Sequence, residues 1–464
     1  MTPASAPVPI RTLDRWRHLL KPLPITIDCP TMKMIGGDFE PPVFAGSGRI
    51  VIKSFTEIEY RMYATPSDSA DAFKRLAKQQ KDPYDTSNTF RLFATDIQGT
   101  EWAAGWTNPQ LGETKTGIWE LWGELDSLLT SASGRWVSQL SSVELVFQPE
   151  VRVPVEKAMV TVTTLDDVEV EYSRRLAKQT VQVLGSEIEF FRTKDGSALW
   201  VTATSSKALP HPCTENWLSE PLRILLGQLI FPRLVARNFG DGRAQVWLRP
   251  SPRRFIDSGI ASLVDGNPFE SKPDFWTLYG KLLEHVANTR DEGGHLNSEP
   301  HLITRLYEEI IQATQGSRWV LCLTLASVAE GLAKLLMGPT PLKADFVEKD
   351  LSALRDHTQT WDGDARLKRR ILDELTRAET KTVSSFLGDL RQGGAVTAAN
   401  VSAWRKLRNS VMHGNLVSPY STREEDQRIL DLADLVHRLT RVIVGIDARQ
   451  QPILGSGLVS EGHA

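Results

Sequence analysis

The hydrophobic pattern changes near residue 280, and this change constrains the fold more than any other feature of the chain. Before it, apolar residues alternate with polar ones, as at Ile50 and Ile52 and again at Ile58, Tyr60 and Met62. A period of two is typical of half-buried strands. After residue 280, apolar residues recur every three or four positions, which is typical of helices with one buried face. The sequence therefore predicts an α+β fold, with a β-rich N-terminal domain followed by an all-α bundle.

The chain has 464 residues, enough for two or three domains. We expect residues 1–280 to form the β-rich domain, residues 285–448 the helical bundle, and the Gly/Ser-rich residues 449–464 a flexible tail. The predicted helices of the bundle are 275–288, 300–315, 318–337, 346–358, 367–390, 398–413 and a last one that ends near residue 443.

Three local signals place elements in the N-terminal part. Asp195 and Gly196 lie between two short apolar runs and predict a β-hairpin. Apolar spacing predicts one helix over residues 69–80 and a longer one that begins near Thr214, continues through Leu229 and ends or kinks at Pro232.

Charge and cysteine content indicate which binding partners and which cellular compartment fit this chain. The formal net charge is -3, so no global basic field attracts nucleic acid or an anionic membrane, and either would have to be bound through a local basic patch. Cys29, Cys213 and Cys322 are widely spaced and do not resemble a zinc cluster or a disulfide framework, which fits a reducing cytoplasm.

The chain shows no segment typical of membrane targeting. Its N-terminus does not read as a signal peptide. The most apolar window, residues 319–337, is interrupted by Glu330 and Lys334, which favours a core helix over a membrane span. We therefore expect a cytoplasmic protein without a membrane partner.

The segment that carries most chemistry is WRKLRNSVMHGN, residues 404–415. Together with Val401 before it, the apolar positions Trp404, Leu407 and Val411 form one buried helical stripe. Arg408, Asn409 and His413 lie off that stripe. Asn409 and His413 are four residues apart and share a face. Gly414 suits the position just past a helix end, which puts His413 in the last turn, where the helix dipole favours imidazolium.

These residue types suit the cleavage of RNA without a cofactor. RNA supplies its own nucleophile, the 2′-hydroxyl, so the protein must move protons and stabilise an anionic phosphorane. His413 can move the protons, and Arg408 offers a fork of donors for the phosphate oxygens. No metal is required.

The arrangement Arg-Asn-three residues-His on a late helix resembles the R-x4-6-H signature of HEPN domains. The resemblance implies an antiparallel helical bundle that pairs as a homodimer, or a higher even oligomer, to form a composite cleft. It also implies that Arg408 and His413 are catalytic and that Asn409 orients them. Glu330, on an earlier helix, lies where some members carry a supporting acidic residue.

A β-rich domain of this size before such a bundle, together with residues 220–235, resembles the ApeA-type anti-phage proteins of bacteria. That resemblance implies a metal-independent endoribonuclease of anti-phage defence that acts by abortive infection. Its implied partners are an RNA substrate, with tRNA among the candidates, and a phage-derived trigger sensed by the N-terminal domain.

Other interpretations remain open at this level. An R-x4-H string also arises by chance at a helix C-terminus capped by His and Gly, and Glu330 could simply pair with Lys334 four residues later. The bundle could also be a non-catalytic dimer that serves as a scaffold for nucleic acid or protein.

Two further alternatives concern other chemistry. A carbohydrate-active enzyme would draw its carboxylates from the set Glu187, Glu189 and Asp195. A metal site at His285, His295 and His301 is disfavoured because the spacings are irregular and the stretch reads as a polar loop.

Overall fold

The structure is a computed structural model. It describes residues 11–20, 23–37, 40–82, 84–85, 88–115, 117–148, 151–162, 172–192, 198–251, 256, 258–264, 272–291, 293–340, 342–344, 346–412 and 422–446. The predicted tail, 449–464, lies outside these residues.

The strands occupy the N-terminal half. They are β1 (Ile25–Ile35), β2 (Phe44–Ile52), β3 (Ile58–Pro66), β4 (Phe90–Thr95), β5 (Glu101–Thr107), β6 (Gln110–Lys115), β7 (Ile118–Glu124), β8 (Leu128–Ser133), β9 (Ser141–Phe147), β10 (Glu156–Val162), β11 (Tyr172–Val183), β12 (Ser186–Arg192), β13 (Leu199–Thr204), β14 (Pro232–Phe239) and β15 (Arg243–Leu248). A 3-10 helix, Thr12–Leu20, precedes them.

The helices are concentrated in the C-terminal part. They are α1 (Ser69–Lys81), α2 (Thr214–Trp217), α3 (Glu220–Leu226), α4 (Lys272–Asn288), α5 (Leu302–Ala313), α6 (Arg318–Met337), α7 (Glu348–Thr360), α8 (Ala365–Ala378), α9 (Val383–Gln392), α10 (Ala398–Met412) and α11 (Arg423–Ile443). A 3-10 turn, Gly259–Ala261, lies between β15 and α4. The predicted α+β fold is confirmed.

Within the described residues the strands join one antiparallel sheet of 15 strands, in the order β10-β11-β12-β13-β9-β14-β15-β8-β5-β4-β1-β2-β3-β7-β6. Most neighbours in the chain are neighbours in the sheet. The exceptions include β9, which lies between β13 and β14. Such pairings join residues that are far apart in sequence, and periodicity alone does not specify them.

The predicted alternation is confirmed at β3. Ile58, Tyr60 and Met62 are buried, while Arg61 and Tyr63 face outward. The predicted hairpin is also confirmed, since β12 pairs antiparallel with β13; its turn residues, 193–197, lie outside the described residues.

The long helix predicted over residues 214–229 is wrong in detail, because the segment forms two short helices, α2 and α3. Pro221 lies in the first turn of α3, where a missing N–H is tolerated. Gly227 follows α3 with a φ of 61°, and a Cβ there would lie 2.3 Å from the carbonyl oxygen of Ser258. Only glycine allows both this backbone conformation and this close approach.

The single helix predicted over residues 367–390 is also wrong, because the chain forms α8 and α9 instead. Thr380 makes an isolated β-bridge with Lys343, which interrupts the helical backbone. The Thr382 side chain then accepts a hydrogen bond from the Ser385 amide at 3.2 Å and starts α9. Cap chemistry therefore overrides the apolar periodicity here.

The chain divides into two compact units. The sheet unit comprises residues 1–222, 229–256 and 267–300. The helical unit comprises residues 223–228, 257–266 and 301–464. Residues 223–228 and 257–266, which precede α5 in the sequence, therefore belong to the helical unit.

Helix α6 lies at the centre of the helical unit, where it packs against α5, α9, α10 and α11. Among the described helices, α6 has the length and apolar composition that a membrane span needs, and 39% of its most apolar window is buried. Cys322, Leu325, Ala329 and Leu332 of α6 face the interior of the unit.

A buried polar cluster joins α5, α11 and the segment before α4 in the helical unit. The Tyr307 hydroxyl lies 3.1 Å from His437 Nδ1 and donates to Thr440 Oγ1 at 3.0 Å. His437 Nε2 lies 3.1 Å from the carbonyl oxygen of Ile260. Burial is the main cause that lowers the pKa of His437 to about 4, and Arg441 lowers it further. The Ile260 carbonyl and Asp434 raise this pKa, but their effects are weaker than that of burial.

We expect His437 to make the helical unit less stable in acid. The unfolded chain binds a proton at this residue near the ordinary pKa of about 6.5, whereas the folded chain does so only near pH 4. Stability is therefore lost as pH falls below about 6.5, by about 2 kcal/mol between pH 7.5 and pH 5. Urea unfolding at several pH values measures the loss, and His437→Gln should remove this part of the pH dependence. An equal pH dependence in the variant would contradict the assignment.

Candidate active site on α10

The start of α10 is fixed by a reciprocal cap. Asn400 Oδ1 accepts a hydrogen bond from the Thr397 amide at 2.8 Å, and Thr397 Oγ1 accepts from the Asn400 amide at 3.1 Å. Asn400 Nδ2 also donates to Asp434 on α11 at 3.0 Å and to the carbonyl oxygen of Asp431 at 2.7 Å. Asn400 is 1% exposed, so this polar junction sets both the position and the rotation of α10.

The apolar stripe of α10 faces the neighbouring helices as predicted. Val401, Trp404 and Leu407 are buried. Trp404 Nε1 donates to the carbonyl oxygen of Ala326 on α6 at 3.2 Å. This contact fixes the register of α10 against α6, and through it the position of the next turn.

One turn later on both helices, Arg408 meets Glu330. Arg408 Nε donates to Glu330 Oε2 at 3.0 Å, and the guanidinium carbon lies 5.5 Å from the centre of the Trp404 ring. A carboxylate and an aromatic face together restrict the rotamers of a long side chain. Arg408 is therefore held on the same flank of α10 as its contacts, with 38% of its side chain exposed.

Glu330 is shared between two cations. Its Oε1 lies 2.9 Å from Lys334 Nζ, while Oε2 takes the bond from Arg408. Partial burial acts to raise the pKa of Glu330, but the hydrogen bonds from Lys334 and Arg408 outweigh it and hold that pKa below its ordinary value. Glu330 is therefore ionised at neutral pH. Glu330 thus contacts both Arg408 and Lys334, and its supporting role in a catalytic site stays a prediction.

Of the other two predicted site residues, the structure describes Asn409 but not His413. Asn409 is exposed, directly after Arg408. His413 lies outside the described residues, one position beyond the end of α10 at Met412. The structure thus brings Arg408 and Glu330 together and leaves Asn409 accessible beside them.

This arrangement suits the binding of a phosphate. In the part of the chain that the structure describes, Glu330 and the Trp404 ring are the contacts of the Arg408 guanidinium. Glu330 uses the Nε donor, and the Nη donors of this half-exposed planar group are left for a ligand. A fork that is already oriented loses less conformational entropy when it binds an anionic group.

The residues considered for a metal do not form a cluster. His301 caps α5, with Nδ1 accepting from the Ile303 amide at 3.1 Å, and burial lowers the pKa of His285. His295 is exposed, with Nδ1 3.6 Å from Asp291. Among the residues with described positions, no group of three or more His, Cys, Asp or Glu side chains could hold a metal ion.

The carboxylates of the carbohydrate-active alternative lie on β12. Glu189 is neutralised by Lys178 and by Arg11, whose Nη2 lies 3.6 Å away. Glu187 is exposed and accepts from Gln182 at 3.0 Å. Asp195 lies outside the described residues. Of Glu187 and Glu189, the less exposed one, Glu189, is thus held in ion pairs.

Sequence reasoning missed one contributor, the Trp404 ring, which was assigned only to the core. The signal was present: Trp404 and Arg408 are four residues apart, so they are neighbours on one helix. By contrast, the contact between Arg408 and Glu330 joins residues 78 positions apart and depends on how α6 and α10 pack.

The chain matches no protein-family model, no curated protein and no solved structure. The resemblance to HEPN domains and to ApeA-type proteins therefore rests on the residues quoted for it, and the function that it implies is a proposal.

Proposed function

We propose that this protein is a metal-independent endoribonuclease whose active site is built on α10. The observation that carries the proposal is the ion pair between Arg408 and Glu330, which holds a half-exposed guanidinium shortly before His413 in the sequence. In this proposal Arg408 stabilises the phosphorane, His413 transfers protons to and from the 2′-hydroxyl and the leaving oxygen, and Asn409 positions the reacting groups.

The half-exposed state of Arg408 favours the nuclease over the scaffold alternative. A purely structural Arg at this position would be expected to lie buried or to have its donors directed into the protein. Asn409 is exposed next to it, so a ligand can reach both. Helix α8 supplies cations for RNA in the same unit, since Arg369 and Arg370 are exposed.

We further propose, from the family resemblance, that two copies of the helical unit pair into one composite cleft and that the protein serves bacterial anti-phage defence. In that setting a phage-derived trigger acts on the sheet unit, and cleavage of host or phage RNA stops growth. Cytoplasmic location follows from the same proposal.

The test is RNA cleavage by the purified full-length protein in EDTA, with total tRNA and an unstructured RNA as substrates. We expect cleavage that survives EDTA and leaves 2′,3′-cyclic phosphate ends. His413→Ala and Arg408→Ala should each lower the rate by about 100-fold or more. Lys406→Ala, an exposed cation on the same helix, is the matched control and should retain the wild-type rate.

Protein that does not cleave either RNA calls for a second measurement, growth of cells that express it with and without phage. Growth arrest by the wild type that His413→Ala relieves would support a nuclease held inactive until triggered. Equal growth of the two strains under both conditions would reject the proposal in favour of a non-catalytic scaffold.

A further inference from the structure

The ladder between β5 and β8 in the sheet unit is interrupted. These strands pair only where Ala103 faces Leu129 and Ala104 faces Leu128. Continued antiparallel pairing would place Trp102 opposite Thr130 and Glu101 opposite Ser131. Neither pair forms, although both strands extend through these residues. The two strands therefore separate from this point and leave a cleft within the sheet.

On the side away from the cleft, each of these two strands pairs with another strand. All six residues of β8 pair with β15, and Glu101 to Ala103 of β5 pair with β4. In an antiparallel strand, alternate residues direct their N–H and C=O groups to opposite neighbours. The edges of β5 and β8 that face the cleft thus carry main-chain donors and acceptors without a strand partner.

A cavity of about 470 Å³ occupies this gap. Its walls are residues 98–103 on one side and 129–133 on the other, so it coincides with the positions where the ladder stops. The volume lies in the range of ligand sites in proteins. The cavity is polar for the most part, as expected of a space bordered by strand edges.

The floor of the cleft is aromatic and firmly anchored. Trp16, from the N-terminal 3-10 helix, lies edge-on to Trp102 with ring centres 5.4 Å apart. Glu144 holds the start of that 3-10 helix, since its carboxylate accepts hydrogen bonds from the amides of Thr12 and Leu13, both at 2.9 Å. The floor is therefore a fixed surface.

Two buried polar atoms of the lining have no hydrogen-bond partner in the described structure, Trp16 Nε1 and Thr130 Oγ1. Their residues are 5% and 3% exposed. A buried polar group without a partner costs about 1–3 kcal/mol. Indole N–H is only a donor, and its missing partner must be an acceptor such as a carbonyl oxygen.

We propose that this cleft binds an extended segment of a partner protein, which adds to the free edge of β8 as a further strand. A peptide backbone is the ligand whose donors and acceptors repeat at the spacing of a strand edge. The edge from Thr130 to Ser133 would take about four residues at ~3.3 Å each. Small side chains must face the aromatic floor.

Charges at the rim add selectivity. Arg15 and Glu101 are exposed and line the cavity. In the described part of the chain neither forms an ion pair, so each is available to a partner side chain of opposite charge. The preferred segment therefore has small residues at alternate positions and carries both an acidic and a basic residue.

The test begins with selection of short random peptides displayed on yeast against the full-length protein, and each enriched peptide is then measured against Ser131→Trp. Ser131 is exposed on β8 and lines the cleft, so tryptophan there should fill the mouth without disturbing the core. A selected peptide, labelled and measured by fluorescence anisotropy, should bind Ser131→Trp about tenfold or more weakly than the wild type. Ser47→Trp, an equally exposed strand position on β2, should bind as the wild type does.

Two further readouts distinguish strand addition from other binding. Hydrogen exchange should slow in residues 129–133 when the peptide binds, and N-methylation of the peptide should abolish binding only at alternate positions. Failure to enrich any peptide would overturn the proposal, as would binding that ignores Ser131→Trp or tolerates N-methylation at every position. None of these outcomes depends on RNA cleavage.

Discussion

Replacing Glu308 with alanine is expected to lower the free energy of unfolding of the helical unit by about 3–5 kcal/mol. Glu308 on α5 forms an ion pair with Arg223, and the two side chains are 11% and 3% exposed. Loss of the carboxylate removes the α5 ion-pair partner of a guanidinium that stays buried, and this costs more than the pair contributed. Urea unfolding followed by far-UV circular dichroism measures the change.

The adjacent residue provides a matched control. Glu309 is exposed on the same helix, so Glu309→Ala should change stability by less than about 0.5 kcal/mol. The double replacement Arg223→Met with Glu308→Leu should recover most of the loss, because an apolar pair needs no desolvated charges. Equal stability of Glu308→Ala and Glu309→Ala would show that the ion pair contributes nothing.

The second large effect is expected at Arg408, on the basis of the proposed nuclease. Arg408→Lys keeps the positive charge but replaces the planar fork with a single ammonium group. Lysine can still pair with Glu330, yet it cannot hold that carboxylate and two phosphate oxygens in one plane. RNA cleavage should fall by about 100-fold, while stability changes by less than about 1 kcal/mol because the ion pair is part-exposed.

Arg405→Lys is the control for this change. Arg405 is exposed on the same helix and donates from Nε to Ser384 Oγ at 3.1 Å, so it undergoes the same chemical replacement away from Glu330. Cleavage by Arg405→Lys should remain near wild type. A wild-type rate in Arg408→Lys would mean that charge alone is needed at this position.

Local features of the sequence predict much of the secondary structure. The alternation at β3, the hairpin of β12 and β13 and the exact bounds of α6 are all visible in the hydrophobic pattern. These elements bury one face against a core, so their periodicity is strong. Where caps or turns decide the outcome, as at Gly227 and Thr382, the same pattern continues across a break and predicts one helix too few.

The candidate site could be predicted only in part. The segment around Arg408 carries a motif with a chemical rationale, and a helix places Asn409 beside it. The contact with Glu330 is a product of tertiary packing, since the local pattern offers only Lys334 as its partner. The order of the sheet is likewise non-local, and the interrupted ladder between β5 and β8 leaves no trace in the periodicity of either strand.

The helical unit is made of separate segments of the chain, and this limits how the two units of the protein can be separated or exchanged. Residues 223–228 supply Arg223 to Glu308, and residues 257–266 supply the carbonyl oxygen that meets His437. A fragment that begins at residue 301 would carry the buried carboxylate and imidazole without these partners. One junction therefore does not suffice to transfer the helical unit to another protein. Residues 223–228 and 257–266 are separated in the sequence from residues 301–464 by segments of the sheet unit, so the two units have to be transferred together.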